Sequence, residues 1–254
     1  GDDDGLGSAL AKYGAARMLG GDLPGAIGTL DEALAFTKGR PDHDIPLIFA
    51  RFWRAWAAHA EGQHDLAKEM LGINTAVARA HRLPTTLAHA LVTEARVELA
   101  RGNLELACTL VMEGLELEVS INDAWGIGLA IDVVAHVAAL RGHLEEATRL
   151  LAGVAAHRER LAVALPGGNP AERVQLIASL RASLGPRYAE LEAEGRSFST
   201  AQTVGLALAE AARHTTEYRV PLSMEAGTAA RGRLRVLALG PLQVFVDGEL
   251  VEST

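Results

Sequence analysis

The chain carries a single cysteine, Cys108, in 254 residues. One thiol cannot close an internal disulfide, which argues against a secreted, disulfide-stapled scaffold. No apolar run reaches the roughly 18 residues of a membrane span, because charged or polar residues interrupt every stretch, so no membrane partner is expected. Nor does a Gly-rich strand end lead into Gly-Lys-Ser/Thr, the loop that cradles nucleotide phosphates. The histidines are not spaced as metal ligands on a helix: His59/His64, His81/His89 and His136/His143 lie five, eight and seven residues apart. Without a cysteine partner for Cys108 either, no metal site is expected, and Cys108 reads as a small buried apolar residue. A net charge of −8 argues against this chain being a nucleic-acid surface by itself. The chain opens Gly1-Asp2-Asp3-Asp4-Gly5, with no start Met and no basic n-region. It is therefore expected to be a cytoplasmic fragment of something longer.

Aromatics are scarce at 4%, while alanine occurs 46 times. That balance suits helices packed closely at small residues. The pattern confirms repetition: Gly-x-Leu-x-x-Ala occurs at Gly21–Ala26, Gly102–Ala107 and Gly142–Ala147, and Gly62–Ala67 is a variant with His64 at the Leu position. The leading glycines are 41, 40 and 40 residues apart. Four residues after each Ala stands Leu30, Leu71, Val111 or Leu151. Seven before each Gly stands Gly14, Ala55, Ala95 or Ala135. Apolar residues at helical spacing precede each Gly, which can end a helix in the left-handed conformation. A polar residue follows as candidate cap for a second helix: Asp22, Asp65 or Asn103, with His143 poorer. Each helix pair leaves an apolar face that only the next pair can cover, so the pairs must stack.

These residues resemble the tetratricopeptide repeat (TPR), lengthened from 34 to about 40 residues. The resemblance implies an all-α, right-handed superhelical solenoid of antiparallel helix pairs. Asp123-Ala124-Trp125-Gly126-Ile127-Gly128-Leu129-Ala130 resembles the start of a repeat in the helical sensor regions of large ATP-dependent bacterial transcription regulators, the maltose-regulator-like LuxR family and the SARP antibiotic regulators. The stretch from Ala147 through Arg158, Leu165-Pro166, Leu184-Gly185 and Glu194-Gly195-Arg196 to Ala209 resembles the end of such sensors. Together the likeness covers roughly residues 6 to 213.

The expected organisation is a tail over 1–5, four repeats over 6–168, capping helices over 169–213, a linker over 214–232 and a short C-terminal β-hairpin over 233–254. Within 169–213, helices are expected from Pro170 to about Leu184, Pro186 to Glu194 and Ser199 to about Arg213. The β-branched and aromatic residues around Asp247-Gly248 signal the hairpin. Leu234 to Leu250 resembles the opening strands of the OmpR-like winged helix of SARP-type activators. The resemblance implies ATP bound upstream of residue 1, DNA contact only through a domain beyond residue 254, and no cofactor in the chain itself.

The tetratricopeptide register turns five positions of each first helix to the concave groove. One position reads Ala15, Trp56, Arg96, His136 along the stack. With His59, His89 and Asp132 at neighbouring positions, this row suits a small anionic or sugar-like effector or a protein segment. Against that stands a core role, above all for Phe49, Phe52, Trp53 and Trp56, which crowd into one helix. The expected function is a non-catalytic sensing or protein-interaction solenoid of a transcription regulator, with self-association as a further partner mode. The rival readings are the regulatory solenoid of a serine/threonine kinase or nucleotide cyclase and a constitutive scaffold.

Overall fold

The computed structural model describes the backbone of residues 3–35, 44–161, 170–217, 234–237, 243–246 and 249–251, and the side chains of 5–35, 47–161 and 172–213. Leu165-Pro166, the Asp247-Gly248 turn and the linker residues 218–232 lie outside the described residues. The chain divides into two units, Gly1–Tyr218 and Arg219–Thr254.

In the first unit, α1 spans Asp3–Leu19, α2 Leu23–Ala35, α3 Asp44–Ala60 and α4 His64–His81. Then come α5 (Pro84–Ala100), α6 (Leu104–Ser120), α7 (Ala124–Leu140) and α8 (Leu144–Leu161). Helix α1 begins inside the segment read as a tail, since no proline interrupts residues 3–7. The helices associate as four antiparallel pairs, and the first helix of each pair packs on the pair before it. The result is a TPR-like solenoid.

The forty-residue pattern is the packing pattern. Ala26, Ala67, Ala107 and Ala147 are fully buried, as are Ala55, Ala95 and Ala135. At Gly14 a Cβ would stand 2.6 Å from Leu30 Cγ, so the small residue makes room for the aliphatic residue sixteen positions on. Each pair turns on a glycine in the left-handed region: Gly21, Gly62, Gly102 and Gly142 have φ between 76° and 84°. The next residue's N–H donates to the carbonyl five residues back, as from Asn103 to Glu98 at 2.8 Å and His143 to Ala138 at 2.9 Å. This bond satisfies a carbonyl that the helix end would leave unpaired. Between pairs the same bond forms around Arg82 and Asn122, at φ 55° and 54°.

The caps differ from expectation. Asp22 does accept from the Gly25 N–H at 3.1 Å. Asn103, however, turns its amide back to the buried Glu98 carboxylate, a charge-assisted bond that outcompetes a neutral cap. Asp65 lies within the first turn of α4 and pairs with Arg101. Asp123 caps α7, accepting from the N–H groups of Trp125 and Gly126.

Helices α9 (Pro170–Leu184), α10 (Arg187–Ser197) and α11 (Thr200–Glu217) follow. Helices α10 and α11 pack on α8, and α11 extends to α7 and α6. Helix α9 does not simply cover the end of the stack: it lies against α7 and α8, and its Arg173 reaches Asp132 on α7. Helix α7 is thus buried on nearly all sides, which is why it is apolar nearly all round. Among the described residues, no helix is long and apolar enough to cross a membrane.

The second unit holds β1 (Leu234–Leu237), β2 (Gln243–Val246) and β3 (Glu249–Val251). They form an antiparallel meander in the order β1-β2-β3, with Leu234 opposite Val246 and Val244 opposite Val251. The expected hairpin is therefore joined by a third strand.

The glycines within helices separate two effects. A Cβ at Gly114 on α6 would stand 2.7 Å from Val92 Cγ2 and 3.3 Å from the Val92 backbone nitrogen, whereas one at Gly28 on α2 meets nothing within 4 Å. Gly114→Ala should therefore destabilise by about 1–3 kcal/mol through overpacking. Gly28→Ala should stabilise by up to about 1 kcal/mol, through helix propensity alone. Urea denaturation of the two variants beside the parent chain checks both signs.

Candidate ligand-binding groove

Arg96 stands near the middle of the stack, on α5. It is only 8% exposed, and its guanidinium carbon lies 5.9 Å from the centre of the Trp56 ring. Burial pulls Arg96 below its ordinary pKa, against the opposing pull of Asp132 and Glu172, while Arg158 and Arg173 add to the lowering. Its Nη2 has no hydrogen-bond partner.

Asp132, one pair further along on α7, is 2% exposed and is gripped by Arg158 from α8 and Arg173 from α9. Burial works to raise its pKa, but the two guanidiniums outweigh that and hold the carboxyl below the usual range. Two arginines meeting one buried carboxylate explain why α9 lies in this position. Unpaired, the charges on α7 and α8 would be costly to bury.

His136 lies one turn after Asp132, and its Nδ1 is 2.9 Å from the Asp132 carbonyl. Nδ1 therefore carries the hydrogen in the neutral ring, and Nε2 is an acceptor. That Nε2 is buried without a partner. Burial lowers the His136 pKa, which keeps the ring neutral. Arg96 and His136 line one cavity of about 460 Å³ with Glu172 from α9. Leu99, Val133, Leu144, Leu176 and Leu180 supply its apolar walls. A space of this size, mostly apolar with a few convergent polar atoms, has the proportions of a small-molecule site.

Of the residues singled out in the sequence, Arg96, Asp132 and His136 come together here. Trp56 is core: it is buried, donates from Nε1 to Thr93 Oγ1 at 3.0 Å, and packs among Phe52, Trp53 and Trp125. Phe52 and Trp53 are buried with it, and Phe49 is half exposed. His59 is buried beside Arg96, with its Nδ1 3.3 Å from that of His64 and its Nε2 3.9 Å from Glu172. His89 is not part of this cavity. It sits seven residues before Arg96 on the same helix, about 10 Å along the axis, against Trp125. Sequence reading missed Glu172 and Arg173 on α9, and Arg158 as a partner of Asp132. The only signal for them was the buried acidic position on α7, which needs cations from elsewhere in the chain. Cys108 is buried as expected, and burial pushes its thiol up to about 11.

Burial, then the neighbouring Arg96 and His64, lowers the His59 pKa to about 4. The unfolded chain takes up that proton near pH 6.5. A depressed folded pKa means that stability is full above 6.5 and declines as pH falls toward 4. The decline should reach about 2–3 kcal/mol by pH 4.5. His59→Asn should remove that share of the slope, measured by urea denaturation at pH 7.5 and 4.5 with His64, Arg96 and Glu172, the charged or titratable neighbours, left intact.

No protein-family model matches the chain, and no curated protein matches it. Among solved structures, it is similar to the nearly identical TPR-like repeats of a protein from Podosopora anserina described as a kinesin light chain. The two share 16% identity and a TM-score of 0.49, over 86% of this chain and 98% of that one.

Proposed function

We propose that the chain is a non-catalytic sensing solenoid whose effector is a small carboxylate, bound in the cavity between α5, α7 and α9. The observation that carries this reading is Arg96, a residue lining the cavity whose buried Nη2 has no hydrogen-bond partner. Around it, Arg96, Arg158 and Arg173 face Asp132 and Glu172, three cationic groups against two anionic ones. An entering carboxylate balances the surplus and gives Arg96 a charge-assisted bond. His136 Nε2 then accepts from a hydroxyl or amino group on the same ligand, and the leucine and valine walls take a short hydrocarbon body.

Such a ligand touches α5, α7 and α9 together. It favours the arrangement in which α9 completes the cavity over any in which α9 has left it, and that differential affinity is what a switch requires. The likeness of residues 123–130, 147–209 and 234–250 to sensor and winged-helix sequences supports placing this switch in a cytoplasmic bacterial transcription regulator. ATP would then bind upstream of residue 1, and DNA would be contacted beyond residue 254. The antiparallel order of β1, β2 and β3 is compatible with that placement. A second reading, a protein partner, draws support from Leu140 and Val174, large apolar residues that are 67% and 66% exposed. Placement in a kinase or cyclase, or as a scaffold, would leave the cavity chemistry unchanged or unused, respectively.

The test is thermal unfolding of the chain with a panel of aliphatic hydroxy- and amino-carboxylates and their uncharged amides. The midpoint should rise with concentration for a carboxylate and not for its amide. Arg96→Met, which keeps the stem and removes the charge, should abolish that rise. If no carboxylate moves the midpoint, or if Arg96→Met responds as the parent does, the carboxylate reading fails.

A further inference from the structure

Three glutamates are almost wholly removed from solvent: Glu98, Glu118 and Glu210. Two of them meet cationic groups. Lys68 Nζ lies 2.7 Å from Glu98, and Arg213 lies 2.7 Å from Glu210, which His143 also contacts. Glu118, in the last turn of α6, has neither oxygen hydrogen-bonded, and no lysine or arginine pairs with it among the described residues. A buried carboxylate without a counter-charge is strongly unfavourable.

What faces Glu118 is not a random surrounding. His89 Nε2, from α5, lies 3.7 Å from Glu118 Oε1 and 3.1 Å from Asp123 Oδ2 at the cap of α7. One ligand atom from each of the three residues lies within 4.8 Å of the others. We propose that His89, Glu118 and Asp123 form a binding site for a divalent transition-metal cation of the Zn²⁺ class.

The geometry supports it from several sides. A tetrahedral cation about 2.1 Å from each ligand holds the ligand atoms roughly 3.4 Å apart, close to the two separations already present. Asp123 is oriented in advance, because its Oδ1 accepts from the Trp125 and Gly126 N–H groups while Oδ2 faces His89. Such bonds to a ligating carboxylate fix the ligand before the metal arrives. Position 126 must be glycine for the carboxylate to lie where it does: a Cβ there would fall 2.0 Å from Glu118 Cδ and Oε2. The Trp125 ring lies beside the site, 4.8 Å from the His89 ring and nearly perpendicular to it. One imidazole and two carboxylates suit a first-row transition cation. Mg²⁺ and Ca²⁺ call for six or more oxygen ligands. The spacing of histidines along the chain could not reveal this set, because its members come from three elements and include one histidine.

The site stands apart from the Arg96 cavity and does not depend on the carboxylate reading. Its test is isothermal calorimetry of the chelator-stripped chain with ZnCl₂, alongside thermal unfolding. The expected result is one strong Zn²⁺ per chain and a midpoint that rises with ZnCl₂ but not with the same concentration of MgCl₂. Glu118→Gln and His89→Gln should each weaken binding by about tenfold or more. His64→Gln, which removes the neighbouring imidazole pair formed with His59, should leave that binding unchanged. Glu118→Gln replaces an unpaired buried carboxyl group by a neutral isostere and so keeps the fold, which far-UV circular dichroism verifies; His89→Gln supplies a second, independent arm. Absence of binding at micromolar Zn²⁺, or parental affinity in both variants, overturns the proposal. So does loss of the strong site in His64→Gln, which would place it on the His59–His64 pair.

Discussion

The contact on which this structure depends is the approach of two helix backbones within each pair. It leaves no room for a side chain larger than alanine at the crossing. Gly14, Ala55, Ala95 and Ala135 meet the partner helix there, and Leu30, the aliphatic residue facing Gly14, already occupies the space a Cβ would take. The turn glycines then bring the second helix back within three residues, because a left-handed residue closes both carbonyl bonds at that point. Stacking follows, since each pair leaves an apolar face uncovered. The aromatic group of α3 marks an exception: Phe52, Trp53 and Trp56 fill a wider space between α3 and α5, which Trp125 enters from the start of α7.

Charge is handled in two ways. On the surface, arginines link neighbouring elements, as in Arg54 to Asp31, Arg79 to Glu113 and Arg196 to Glu159. With at least one partner well exposed in each, they contribute little individually. In the groove the same residue type does something different. Asp132 organises two guanidiniums in fixed geometry, and Arg96 is left with an unmatched Nη2 in a low-polarity wall. With 21 arginines against three lysines, the chain uses the planar, permanently charged group suited to buried ion pairs and to carboxylate recognition.

The repeat was legible because identical packing demands recur at a fixed interval. Glycine at the turn, a small residue at the crossing and an aliphatic residue beyond it each have one physical cause, and a period of forty exposes them all. The starts of α9, α10 and α11 were legible from Pro170, Gly185-Pro186 and Ser199, but Gly195 does not end α10, which runs on to Ser197, and α11 continues past Arg213 to Glu217. The placement of α9 was not legible. Its neighbours are set by Arg173 meeting Asp132 across 41 positions, and no local pattern encodes such a pairing. The cap at Asn103 failed for a related reason, since its amide is claimed by a glutamate whose burial depends on the fold. Arg96 and His136 were legible as a row because the groove register follows from the repeat. Trp56 shares that register, yet its ring turns into the core and hydrogen-bonds Thr93.

The aromatic group has an optical consequence. The chain has three tryptophans, Trp53, Trp56 and Trp125, and their ring centres lie 5.7 to 6.3 Å from one another. Indole emission therefore comes from one place, the junction of the second, third and fourth pairs, with excitation shared among the rings. Two of the three tyrosines, Tyr13 on α1 and Tyr188 on α10, stand on the first pair and against the last pair of the stack. In a stack whose pairs hold chiefly to their neighbours, the indoles thus sample its middle, while Tyr13 and Tyr188 sample its first and last pairs, within one native sequence.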